Sequence, residues 1–469
     1  MRYISTRGQR PALHFEDAVM MGLAPDGGLY VPESWPQWSP DALRSLRGCS
    51  FQEVAVRVLA PFVTPSLSEA ELRTLVDRAY ASFDHPDIAP VSQLGDVWLL
   101  ELFHGPTLAF KDVALQLLGQ LFDHFLARRG SHATVLGATS GDTGSAAIAG
   151  CRGRSNLDIV ILHPHGRTSA VQRRQMTTVA DANVHNFALE GTFDDCQAIV
   201  KQLFNEPETR ARHNLCAVNS INTARVLAQM VYYFTVAVRL GAPETQVQFC
   251  VPTGNFGDVL AGHWARKMGV PMAPLVIATN SNDILARTLE TGAYRVAASG
   301  GAAGADAVRP TLSPSMDILV SSNFERLLFE LYDNDPAALR ARMAALAAGG
   351  FELGAAPLAR LRAGFVAGRT DDAQTLACIG RTYREHGVLV DPHTAVALDV
   401  AARLGPQPHP VVVLATAHPA KFPDAVAEAT GVTPPLPGFL ADLFDRPERF
   451  EVLPAEADAV RAALADTST

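Results

Sequence analysis

The 469-residue sequence has no surplus of positive charge. Asp and Glu number 48 against 39 Lys and Arg, a formal net charge of −9. A nucleic-acid partner calls for a basic face, so none is expected. Any anionic ligand must find its positive potential locally. Cysteine is scarce and scattered: Cys49, Cys151, Cys196, Cys216, Cys250 and Cys378 form no Cys-x-x-Cys pair. That argues against a zinc site or a disulfide framework. Long apolar runs are missing, so no membrane partner is expected. The start, Met1-Arg-Tyr-Ile-Ser-Thr-Arg-Gly8, lacks the apolar core of a signal peptide. These absences lead us to expect a reducing, cytoplasmic setting. There is no repeat at a fixed period and no low-complexity tract beyond the alanine-rich end. What is present is ordinary globular material, 48% hydrophobic and 19% charged, long enough for two or three domains.

The first ninety or so residues read as mostly helical, with a Pro25-Asp-Gly-Gly28 turn leading into a strand-like Leu-Tyr-Val. From residue 91 apolar runs at 97–103, 134–138, 158–162, 184–189, 246–251, 275–279 and 410–416 alternate with helical patterns. That rhythm predicts parallel sheets covered by helices on both faces. We expect a helical N-terminal domain over 1–90 and a large α/β domain from 91–127 and 241–430. A smaller α/β domain over 128–240 and a C-terminal helical segment over 431–469 complete the chain. Helical patterns at 336–348 and 357–367 read as a solvated layer. The Gly/Ala-rich stretch within 291–314 reads as a loop or lid. In such folds ligands bind where strands end and helices begin.

Every polar motif falls at such a junction. His104-Gly-Pro-Thr-Leu-Ala-Phe-Lys-Asp112 sets Lys111 in apolar company between a strand and a helix. A lysine there either snorkels to solvent or loses solvation and becomes a nucleophilic amine suited to a carbonyl cofactor. Val251-Pro-Thr-Gly-Asn-Phe-Gly-Asp258 is either a plain turn or a phosphate cradle at a helix N-terminus. Gly137-Ala-Thr-Ser-Gly-Asp-Thr-Gly-Ser145 offers hydroxyls and N–H groups to a carboxylate or phosphate, or simply caps its helix. It has neither the Lys-Ser/Thr ending of a Walker loop nor the spacing of a dinucleotide fingerprint. Asn219-Ser-Ile-Asn-Thr-Ala-Arg225 gathers amides and a guanidinium at a helix start, as a second anion grip or an ordinary N-cap. Val413-Leu-Ala-Thr-Ala-His-Pro-Ala-Lys-Phe422 ends a strand on a hydroxyl, Thr416.

Together these stretches resemble the threonine synthase family, in the bacterial and fungal branch of the fold-type II pyridoxal-phosphate enzymes. Pro25–Pro32, Gly166–Met176, Glu190–Asp195 and Asp391-Pro-His-Thr394 carry the same likeness, in order, over about 1–425. The resemblance implies an α/β fold of the tryptophan-synthase-β-like kind, two parallel-sheet domains plus the helical N-terminal one. It implies pyridoxal 5′-phosphate as cofactor, with Lys111 as its covalent attachment and the catalytic base. Gly254, Asn255, Phe256 and Gly257 match the cofactor's phosphate loop, with Asp258 beside it among the cofactor-binding residues. Thr416 matches the hydroxyl at the pyridine nitrogen, where a neutral group leaves that nitrogen largely unprotonated. Ser140, Gly141, Asp142 and Thr143 match the loop holding the substrate's carboxylate. Asn219, Ser220, Asn222 and Arg225 match the grip on the substrate's phosphate. The implied reaction turns O-phospho-L-homoserine and water into L-threonine and phosphate. Its rivals are a dehydratase or β-replacement synthase on the same fold, which needs no Arg225 grip, and a cofactor-binding protein without catalysis.

Overall fold

Serine-capped helices begin the chain's helical layer. Ser50 with Glu53 and Ser68 with Glu71 form reciprocal capping boxes that start the helices Phe51–Val63 and Glu69–Tyr80. Their apolar faces, with Val54, Phe62, Leu72 and Val76, join the main core. In this computed structural model residues 1–139, 141–166, 168–296 and 308–467 are described. The N-terminal region is less purely helical than its pattern suggests. β1 (Arg2–Ser5) pairs antiparallel with β2 (Leu13–His14) and with β3 (Tyr30–Pro32). Such short strands carry too few alternations to stand out in a sequence.

Next come Val91–Leu94 (β4), Val97–Glu101 (β5), Ala133–Ala138 (β6), Leu157–Pro164 (β7) and Val184–Glu190 (β8). Gln248–Pro252 (β9), Leu275–Thr279 (β10), Ala293–Arg295 (β11) and Gly350–Glu352 (β12) follow. Phe365–Arg369 (β13), Val411–Ala415 (β14) and Glu451–Pro454 (β15) complete the described strands. The larger sheet runs β13-β10-β9-β14-β5-β4, parallel except for the edge pair β4–β5. The smaller sheet runs β15-β8-β7-β6 and is parallel throughout. Buried β-branched runs such as Ile159-Val160-Ile161 suit strands covered on both faces. β11 and β12 form a separate antiparallel pair.

Two readings need correction. The helical pattern at 357–367 is a helix only over Ala355–Gly364; Phe365 onward is β13, the edge of the larger sheet. A short apolar run directly after a helix looks the same in either state. The C-terminal segment is not simply helical: β15 pairs with β8 before the helix Ala457–Asp466. The Gly/Ala-rich stretch at 297–307 lies outside the described residues.

The larger sheet positions the chemistry. β14 lies between β5 and β9, so the segments leaving β5, β9 and β14 emerge side by side at one end. The helix Lys111–Arg129 packs on Asp142–Cys151 at a point where a Cβ on Gly119 would overlap the Gly150 carbonyl oxygen. Backbone contact this close sets the two helix N-termini in fixed relation.

Candidate active site

Lys111 is the first residue of its helix, and the loop before it is clamped to the end of β14. Phe110 N donates to Thr416 O (2.8 Å), and His418 N to Leu108 O (3.0 Å). Leu108 takes a left-handed φ of 63° to make the turn. Asp112 accepts from Thr107 N (2.8 Å) and Thr107 Oγ1 (2.7 Å), closing the loop on itself. Gly105 is required there, because a Cβ would collide with Asp112. The result brings Lys111 and Thr416 to one cavity of about 310 Å³.

Lys111 is 8% exposed. Its Nζ donates to Ser315 Oγ (3.1 Å) and lies 3.8 Å from Asp142 Oδ2. Burial is the largest influence on its ammonium and pushes it down to about 8; Asp142 opposes this, while Arg225 and Lys421 add to it. Asp142 is buried too, and burial by itself would raise its carboxyl. The cations Lys421 and Lys111 outweigh that and hold it well below the usual carboxylate range. Lys421 Nζ sits 3.1 Å from Asp142 Oδ1, and Gln172 Nε2 donates to the same oxygen (2.9 Å). Lys421 also donates to Gln175 Oε1 (2.8 Å), so this fully buried cation is satisfied on several sides.

The turn after β9 lines the same cavity with Gly254, Asn255, Phe256, Gly257 and Asp258. Phe256 adopts φ 65° and caps the helix Gly257–Lys267, whose first N–H groups have no partner within the helix. Gly254 has no room for a side chain: a Cβ would lie 2.8 Å from Ser315 O. Asp258 Oδ1 accepts from Tyr232 (2.5 Å) and Tyr233 (2.9 Å), and burial pushes its carboxyl up to about 6.

A third wall carries Asn219, Ser220 and Arg225. Arg225 is 5% exposed, donates through Nη1 to Val218 O (3.0 Å), and leaves Nε without a partner. Burial lowers its guanidinium to about 10. A buried cation with an idle N–H beside a cavity is suited to an incoming anion.

The expected site residues do not all meet there. Asn222 does not line the cavity. Its side chain caps the helix Thr223–Arg239 by accepting from Ala224 N and donates to Val19 O (2.9 Å), so its amide is committed to holding the loop. Gly141 and Thr143 line the cavity, and Ser140 lies outside the described residues. Asp142 also lines it, but its carboxylate faces Lys421, Gln172 and Lys111, and one carboxylate repels another. Only its backbone N–H, at a helix start, is suited to an anion.

Ser315, His393, Gln172 and Lys421 escaped sequence reading. Ser315 Oγ donates to Asp142 Oδ2 (3.3 Å), and Ser315 N donates to His393 Nε2 (3.2 Å). His393 therefore carries its proton on Nδ1 and donates to Asp391 Oδ2 (2.6 Å). The Asp391-Pro-His and His418-Pro-Ala-Lys stretches were signals for two of these residues. Gln172 lies within the Gly166–Met176 stretch, whereas nothing local marked Ser315.

Known proteins share this sequence and fold. Residues 2–80 match the family described as threonine synthase N terminus, 86–417 the pyridoxal-phosphate dependent enzymes, and 394–464 threonine synthase, C-terminal. The chain is 51% identical to a threonine synthase from Pseudomonas aeruginosa, over 98% of this chain and 97% of that protein. The crystal structure of a pyridoxal-phosphate-bound threonine synthase from Brucella melitensis superposes with a TM-score of 0.96 at 51% identity, covering 100% of this chain and 99% of that one. The threonine synthase from yeast gives 0.94 at 39%, covering 100% and 98%.

Proposed function

The chain belongs to the threonine synthase family of pyridoxal-phosphate dependent enzymes, and on that premise we propose that it converts O-phospho-L-homoserine and water into L-threonine and phosphate, the last step of threonine biosynthesis. One observation carries the reading: a buried, partly neutral lysine and a buried arginine with an idle N–H line the same cavity as a glycine-bearing helix N-terminus. A dehydratase or β-replacement synthase would have no use for that arginine. The six cysteines are unpaired, in keeping with a cytoplasmic setting.

The residues fit pyridoxal phosphate. Lys111 would supply the amine for its aldehyde, the turn Gly254–Gly257 a cradle for its phosphate, and Thr416 a neutral hydroxyl for its ring nitrogen. When bound, the cofactor supplies an electron sink that acidifies the substrate's Cα and Cβ hydrogens. Substrate is held at both ends. Gly141 and Thr143 meet the carboxylate at the start of the helix Asp142–Cys151, and Asn219, Ser220 and Arg225 meet the phosphate. With the cofactor and substrate bound, Lys111 Nζ would be the general base that takes the Cα proton. The ammonium so formed stays beside Ser315 Oγ and Asp142 Oδ2, which hold its charge until the proton is passed on. Lys421 keeps Asp142 ionised for that purpose.

Replacing Lys111 with Ala tests this directly. The visible-edge absorption of covalently held cofactor should vanish, and phosphate release from O-phospho-L-homoserine should fall by at least about a thousandfold. Turnover near the wild-type rate would end the assignment.

A further inference from the structure

Between the two anion-binding loops, one layer behind the cavity wall, runs Ser321-Ser322-Asn323. Its contacts go to both sides. Toward the cofactor loop, Ser321 Oγ donates to Gly254 O (2.5 Å) and Asn323 N to Asn255 O (3.0 Å). Toward the substrate loop, Asn323 Nδ2 donates to Ser220 O (3.0 Å). Ser322 reaches both with one atom: its Oγ lies 3.3 Å from Asn255 Oδ1 and 3.3 Å from Ser220 Oγ. Behind them Arg326, fully buried, donates to Tyr30 O (3.0 Å), Ile221 O (2.6 Å) and Asn323 Oδ1, which anchors the segment to the N-terminal sheet.

We propose that Ser322 is a positioning residue that couples the two anion sites, so that each anion is bound more tightly when the other is present. The inference rests on the reading of Asn219–Arg225 as the grip on substrate phosphate. Ser322 does not line the cavity, so it acts only through Asn255 and Ser220, which do. Its hydroxyl has a single proton. Asn255 Oδ1 can only accept, so the proton goes there and Ser322 receives a hydrogen bond from Ser220. That order fixes which way the Asn255 amide is turned, and it ties the rotamer of Ser220 to that of Asn255. An anion that orders one loop thereby orders the other, and the second anion meets a site already arranged. This gain opposes the repulsion between two phosphates held in one cavity. By linkage it acts equally in both directions.

The test uses the holoenzyme, with inorganic phosphate as the probe against O-phospho-L-homoserine. In the wild type, saturating phosphate should slow the loss of pyridoxal phosphate on dilution. In Ser322→Ala that protection should disappear. The KM for substrate and the inhibition constant for phosphate should rise together by about three- to tenfold, the worth of one hydrogen bond, while kcat changes by less than about twofold. Ser322→Thr, which keeps the hydroxyl, should restore the coupling. A residue that merely supports the fold would lower kcat or thermal stability and leave the coupling alone. Wild-type protection that is absent, or that survives in Ser322→Ala with KM unchanged, overturns the proposal. Arg225→Ala separates the two readings. If it leaves phosphate inhibition untouched, the grip is elsewhere and both fall. If it weakens inhibition and Ser322→Ala does not, only the coupling falls.

Discussion

Lys111 shows how one residue's surroundings set its chemistry. A lysine ordinarily holds its proton to about 10.5; burial brings Lys111 to about 8. The folded value lies below the unfolded one, so this lysine costs stability at pH below about 8, and the cost fades as pH rises toward 10.5. The same shift makes the neutral amine available near neutrality. Apoprotein mixed with pyridoxal phosphate in a stopped-flow spectrometer should therefore show a capture rate that climbs with a midpoint near pH 8. A midpoint near 10.5 would mean that Lys111 is solvated. The local sequence, mostly apolar but with Asp112 beside Lys111, left snorkelling and desolvation both open. It could not show that Asp142, Lys421 and Arg225 also face the amine, because those residues arrive from other elements.

At the scale of elements, the contact between Lys111–Arg129 and Asp142–Cys151 determines how far the lysine stands from Asp142. Gly119 and Gly150 let the two backbones touch, and a Cβ on Gly150 would overlap Leu115 O. Gly119→Ala should force the helices apart and cost about 1–3 kcal/mol in urea unfolding, with kcat reduced as Lys111 and Asp142 separate. An unchanged unfolding midpoint would show that the helices can shift without loss. The strongly apolar strands β7, β8 and β10 were readable from their runs. β13 and β15 were not. The first follows a helix without a break, and the second is an edge strand whose outward side chains are exposed.

For the whole molecule, the C-terminal segment works as a strap. Leu440 and Leu443 are buried against Leu108 and Val171, and Leu108 lies in the loop that delivers Lys111. Arg173 donates to Glu448 through Nε (2.8 Å) and Nη2 (3.0 Å), which fastens the strap to the helix Ala170–Thr177. Leu443→Ala should lose about 2–4 kcal/mol of stability and lower kcat as Leu108 loosens. Denaturant unfolding and steady-state kinetics on the same preparation would check both, and kcat at the wild-type level would show that the loop holds its shape without the strap.

The sequence by itself determined the class of fold and set its polar motifs, Lys111 among them, at junctions of strand and helix. These follow from hydrophobic period and from residue types that act over a few neighbours, which any stretch of chain carries within itself. Only the tertiary structure decided that the Asn222 amide caps its helix, that the Asp142 carboxylate faces Lys111 and Lys421, and that Ser315 and His393 line the cavity with Lys421 and Ser322 behind them. A side chain's role there depends on which distant group lies within about 3 Å of it, and spacing along the chain does not encode that distance.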